Sequence, residues 1–198
     1  MKVAVGFKCH SGWAASVVVG FDAGRFHLID RRRVDLIEPQ DSPWAKAPYH
    51  AAEDLPPEEQ QALVERARAS AQRGSERAVR ASSAALHAAG HHLLVGAVLT
   101  GAPMPDWTTQ QILAVHVRMH KAEGAMFPAA LIRAAGTCGL AVIAIRENEL
   151  AAQAKETFTE ATHVLIERLG KGAGPPWGID QKNGALAAMI ALQRAASG

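Results

Sequence analysis

The sequence predicts a single α/β domain over residues 1–198, with a mixed five-stranded sheet in the order 3-2-1-4-5 flanked by helices. Three observations carry this. The first 37 residues are rich in Val, Ile and aromatics and are punctuated by "HSG" and "DAG", turn signals that join strands into an antiparallel meander. From residue 58 the composition shifts to Ala, Arg, Glu and Gln, all good helix formers. Two later apolar runs, "HHLLVGAVLTG" and "LAVIAI", each follow a helical stretch closed by glycine, as expected of parallel strands reached by helical crossovers.

Taken in order, strands are expected at 2–8, 13–24 and 25–37. The stretch 38–57, "EPQDSPWAKAPYHAAEDLPP", holds five of the chain's ten prolines and reads as a surface loop. Pro56-Pro57 is a start signal for a helix over 58–89, with Gly74 as a point of division and Gly90 as the stop. A strand follows, then a helical stretch to 137, the strand 140–145 and a helix over 149–169. The connector "GKGAGPPWG" leads to a last helix over 179–196. Right-handed crossovers put strand 1 in the centre, between strands 2 and 4. Ligands of such open sheets bind beyond the carboxyl ends of the strands where the connections diverge, here strands 1 and 4.

The 21 basic residues are offset by 19 acidic ones, a net charge of +2, so any basic surface is local rather than a property of the whole molecule. Cys9 and Cys138 lie far apart with no secretory pattern before them, so a reducing, cytoplasmic setting is expected. No apolar run reaches the roughly 18–20 residues of a membrane span, and no membrane partner is expected.

The order of elements resembles that of the ribonuclease H-like superfamily, and within it the Holliday-junction resolvase type. "VAVGFKCHSGWAASVVV" is similar to the family's first hairpin and "IDQKNGALAAMIAL" to its last helix; the likeness runs from residue 2 to about 192. It implies a ribonuclease H-like fold and a phosphodiester-cleaving site. Three or four carboxylates there hold two Mg²⁺ ions, which align a water and stabilise the leaving oxygen. At the position matching the family's first Asp this sequence has Lys8, followed by Cys9, His10 and Ser11. The second acid would fall at Thr100, with Asp106 several residues late, and the third falls on Asp180 at the start of the last helix. A lysine cannot hold Mg²⁺, and an acid in a first helical turn also serves as a cap.

A replacement set lies in "HVRMHKAEGAMFPAAL". His116, His120 and Glu123 are spaced i, i+4, i+7 and share one face of a helix. Two imidazoles and a carboxylate suit a divalent ion. The zinc-protease pattern is excluded, because Val117 stands where its glutamate would be. Pro128, four residues after Gly124, predicts a break between them. That break would make 106–123 an inserted helix over the mouth of the sheet and bring His120 and Glu123 toward His10, Ser11 and Asp180.

The metal-ligand set expected is therefore His116, His120, Glu123 and Asp180, for Mg²⁺, Mn²⁺ or Zn²⁺, with Asp180, Glu123 and His10 as catalytic groups. Lys8, Ser11 and Lys182 would touch substrate, and Trp44, Tyr49 and His50 form a loop able to stack on a base. Arg66, Arg73, Arg77 and Arg80 fall in one stripe along the first long helix and offer phosphate contacts. "DRRRVD" reads as the charged edge of the sheet. "GKGAGPPWG" lacks the Gly-Lys-Ser/Thr ending of a phosphate loop. Cys9 and His10, adjacent on a strand, point to opposite faces and make no nucleophile–base pair.

Three functions remain open at this point. The chain is a metal-dependent enzyme acting on nucleic acid or a phosphate-containing substrate, a catalytically silent module that binds nucleic acid or protein, or a nucleotide-binding protein built on the same meander. A homo-oligomer is compatible with each.

Overall fold

The computed structural model describes residues 1–197. Its sheet has the expected order, with β1 (Lys2–His10) in the centre, β2 (Trp13–Asp22) and β3 (Arg25–Asp35) on one side, and β4 (His92–Thr100) and β5 (Val142–Arg146) on the other. β1 pairs antiparallel with β2 and parallel with β4, Lys8 lying opposite Ala15 on one side and Leu99 on the other. The β2–β3 turn has both central residues at positive φ, Ala23 at 47° and Gly24 at 75°, as the right-handed strand twist demands of a two-residue hairpin loop.

Helices cover both faces. On one lie α2 (Pro57–Ala88) and α4 (His116–Thr137), packed on Val3, Val5, Phe7 and Val98. On the other lies α7 (Ile179–Ser197), with α5 (Leu150–Thr157) and α6 (Thr162–Gly170) beside it, packed on Ala4, Val17, Val19, Leu99 and Ile145. The alternation along β1 therefore assigns odd residues to the α2–α4 face and even ones to the α7 face. A third, smaller core of Tyr49, Val64, Ile112, Met119 and Ala122 gathers α1 (Pro48–Ala52), α3 (Thr109–Leu113) and the first turns of α4.

Several expectations are corrected. The helix of residues 58–89 is undivided at Gly74, which is buried where α2 crosses the chain after β3. A Cβ there would sit 2.6 Å from the Ile37 amide nitrogen and the Leu36 carbonyl oxygen, so this glycine permits a close approach rather than a break. The helix of 149–169 is two helices, because Phe158 is extended and turns its ring edge-on to Phe26 on β3.

The break expected between Gly124 and Pro128 is absent, and α4 runs through both. Pro128 donates no bond to the Gly124 carbonyl, but Gly124 is exposed and open to solvent. Met126, Phe127, Ala130 and Leu131 are buried around the proline. At roughly 1.5–3 kcal/mol for each large apolar side chain, they offset its cost of about 3 kcal/mol. The chain breaks earlier, where Val115 is extended between α3 and α4, so 106–123 is not one inserted helix.

Candidate functional site

β1, β4 and β5 end together; there Lys8 reaches the residue after β5 and His10 reaches the first turn of α7. Lys8 Nζ donates to Glu147 Oε1 at 2.6 Å, and His10 Nε2 lies 3.0 Å from Asp180 Oδ2. His10 also stacks on Trp13, ring centroids 4.3 Å apart, and the Arg33 guanidinium lies 4.0 Å over the same indole. Each carboxylate here thus has a basic partner from the chain itself. An imidazole held by a carboxylate can take up and hand on a proton. Ser11 lies exposed in the turn beyond this pair and Lys182 is exposed one turn along α7.

The two Mg²⁺ ions implied by the resemblance do not fit this donor set. An ammonium group stands where the first carboxylate would be, Glu147 is bound to it, and Asp180 is bound to His10. Such an ion needs several unengaged oxygen donors.

Cys9, one residue from each of these basic groups, belongs to the opposite face and packs on the α2–α4 core. Burial pushes its thiol up from 9.0 to about 12, against the smaller lowering effect of the Lys8 charge. The thiolate is the reactive form, so Cys9 in the folded protein should alkylate with iodoacetamide at pH 8 at least about 100-fold more slowly than in urea. Mass spectrometry of the labelled peptide reads this; equal rates would show that the thiol is not shielded.

A cavity of about 300 Å³ opens at the same end of the sheet, lined by Lys8, Cys9, His120, Lys121, Gly124 and Glu147 among others. Glu147 also borders a larger cavity of about 780 Å³ between α5, α6 and α7, where Lys155, His163 and Lys182 are found. Glu147 thus borders both cavities, and the larger one mixes these basic groups with Glu160 and Glu167.

The remaining expected site residues gather elsewhere. Glu123 is 6% exposed and lies beneath α1, where Oε1 accepts from the backbone N–H groups of Tyr49 and His50 at 3.0 and 3.2 Å. His50 Nδ1 lies 2.9 Å from both carboxylate oxygens. His116 and His120 come together as their spacing foretold, Nε2 to Nε2 at 3.0 Å. Their partner is His50 rather than Asp180, because α4 does not break to carry Glu123 toward α7. One ring nitrogen from each of His50, His116 and His120 lies within 4.8 Å of the others. The expectation for His50 was a stacking contact in a loop; neither its spacing nor its neighbours signals a place beside His116.

Tyr49, expected to touch substrate, is 2% exposed, and its hydroxyl accepts from Arg68 at 2.8 Å. Trp44 packs against the main core with Arg66 over its ring at 4.9 Å. The arginine stripe is largely engaged. Arg77 pairs with Glu38 at 2.5 Å and donates to the Ile37 carbonyl, and Arg73 lies 3.8 Å from Asp41. These guanidiniums hold the Pro-rich segment onto α2. On the edge strand, Arg31 donates to the carbonyls of Ala173, Pro175 and Pro176 and ties down the loop before α7.

No protein-family model matches the sequence, and no curated protein sequence matches it. Solved structures do. The structure of T. thermophilus RuvC in complex with a Holliday junction substrate matches over 100% of this chain and 97% of that one, at 13% identity and a TM-score of 0.50. A second Thermus thermophilus RuvC structure covers 99% and 96%, at 14% identity and a TM-score of 0.49. The chain has the ribonuclease H-like fold, with its sheet in the order 3-2-1-4-5. No helix among the described residues is long and apolar enough to cross a membrane.

Proposed function

We propose, from a ribonuclease H-like sheet whose mouth carries a lysine in place of the first acid, that this protein binds nucleic acid through its phosphates without two-magnesium cleavage there. The observation that carries the reading is Lys8. Its ammonium sits at the carboxyl end of the central strand, 17% exposed and held by Glu147, where this fold places ligands. With Lys121 and His120 it lines a cavity whose one acid is Glu147. Glu147 offsets the Lys8 charge, so the excess positive charge of the mouth comes from Lys121, and an arriving phosphate oxygen would share Lys8 with Glu147. The match to a structure of a resolvase bound to a Holliday junction supports the choice of nucleic acid over other phosphate compounds.

The test is fluorescence anisotropy with labelled single-stranded, duplex and four-way-junction DNA. Three phosphate contacts on duplex DNA predict roughly a 40-fold loss of affinity between 50 and 200 mM salt. Lys8→Met should weaken binding and reduce the salt slope by about one. Absence of binding at 50 mM salt, or affinity indifferent to Lys8→Met combined with Lys121→Ala, overturns the reading.

A second, enzymatic reading is favoured by the His10–Asp180 pair, which has the form of an oriented general base. DNA cleavage lost in both His10→Ala and Asp180→Asn would establish it in place of simple binding. A thermal shift with ATP and with none of the DNAs would favour a nucleotide site instead.

A further inference from the structure

We infer that His50, His116 and His120 form a binding site for one transition-metal ion, Zn²⁺ or an ion of similar preference, with Glu123 acting as the group that orients His50. The site shares His120 with the cavity that Lys8 lines but rests on different observations, so this inference and the phosphate-binding reading can each fail alone.

The argument starts at the buried carboxylate. An ionised carboxylate only accepts hydrogen bonds, so His50 Nδ1, 2.9 Å from both Glu123 oxygens, must carry the proton. In the neutral ring the lone pair is then on Nε2. That atom is buried and has no hydrogen-bond partner among the described residues. A buried polar atom without a partner is costly and calls for an explanation. Its ring faces the other two histidines, with centroids 4.6 Å from His120 and 5.1 Å from His116. An ion between the three would give this nitrogen its partner.

The geometry is close to what such an ion needs. Tetrahedral Zn²⁺ with bonds of roughly 2.0–2.1 Å sets ligand nitrogens about 3.3 Å apart. One ring nitrogen of each histidine lies within 4.8 Å of the others, and the His116–His120 pair is at 3.0 Å. His116 and His120 are exposed on one face of α4, where rotation about the side-chain bonds supplies the remaining adjustment. A carboxylate behind a metal-ligating imidazole is also the usual device for holding tautomer and ring angle. Glu123 is itself held by the two backbone amides of α1.

Donor chemistry selects the ion. Three imidazoles suit Zn²⁺, Co²⁺, Ni²⁺ or Cu²⁺ and not the hard, oxygen-seeking Mg²⁺ or Ca²⁺. They are also neutral, so the bound ion keeps its full charge and an open position. His120 is shared with the cavity that Lys8 and Lys121 line, so the fourth ligand would be water or an anionic oxygen arriving from that side.

Metal-free full-length protein titrated with Co²⁺ and Zn²⁺ tests this. Expected are one ion per chain, a Co²⁺ absorption band in the visible with four-coordinate intensity, displacement by Zn²⁺ and none by millimolar Mg²⁺. His116→Ala and His120→Ala, both at exposed positions, should each weaken binding by at least about 100-fold and leave the circular dichroism unchanged, and His50→Ala should do the same to binding. Glu123→Gln keeps an oxygen for the two amides but turns an amide N–H toward His50. It should weaken Zn²⁺ by about 10–100-fold, the range for loss of such a supporting carboxylate. No binding, or binding equally strong in His50→Ala, would overturn the site; the latter means that two histidines on one helix suffice.

Discussion

Gly6→Ala should destabilise the protein by about 3–5 kcal/mol, at the upper end for a single substitution, because the clash is with backbone and cannot be relieved by a rotamer. A Cβ built on Gly6 falls well inside contact distance of the Gly184 carbonyl oxygen, and lies 2.8 Å from Gly184 C and 3.0 Å from Ala188 N. Here α7 lies directly on the central strand, with no side chain between them. Either α7 lifts or β1 bends, and both disturb the buried Ala185, Ala187, Ala188, Met189 and Ile190. Gly184→Ala is the control. Its Cβ would meet Gly6 O and Val17 Cγ2 at 3.4 Å, an ordinary contact, and the helix gains about 1 kcal/mol of propensity, so the net change should stay within about 1 kcal/mol. Urea denaturation of the three proteins decides. A neutral Gly6→Ala would mean that α7 is not seated on β1 as described, and the Asp180–His10 contact would then lose its frame.

The second large effect concerns Glu123. Glu123→Ala removes the acceptor of two backbone N–H groups and of His50 Nδ1, all from α1. Hydrogen bonds to a charged group contribute about 1.5–3 kcal/mol each, and donors left buried without an acceptor add a penalty. The expected loss is about 3–5 kcal/mol, because the three contacts share one carboxylate and do not add in full. Its signature should be regional. Hydrogen exchange ought to accelerate first in α1 and at the start of α4, while the sheet amides, which belong to the two larger cores, keep their protection. Uniform acceleration throughout would count against a separate third core.

Much of this arrangement was legible in the chain, and the reasons can be named. Alternation along a strand sets Cys9 and His10 on opposite faces, and in the structure His10 reaches Asp180 while Cys9 packs on the α2–α4 core. The i, i+4 spacing put His116 and His120 side by side. Pro128 misled because its local cost was read without the packing of Phe127 and Leu131 that outweighs it. Gly74 misled in the same way, since a glycine that admits a neighbouring backbone looks in sequence like one that ends a helix. Two arginines of the α2 stripe, Arg73 and Arg77, meet Asp41 and Glu38 of the Pro-rich segment, and Arg66 covers Trp44, so most of the stripe's charge is spent within the fold.

The sheet order 3-2-1-4-5 and the succession of strands and main helices were readable in the chain alone. These follow from local periodicity and from the handedness of crossovers, both short-range properties of an L-amino-acid chain. Only the tertiary structure decided that His50 stands beside His116 and His120, with Glu123 behind it. The glutamate and His50 are 73 residues apart. No repeat distance encodes such a contact; it arises from α1 folding back onto α4 to bury Tyr49 and satisfy two amides, a choice made by the packing of the whole molecule.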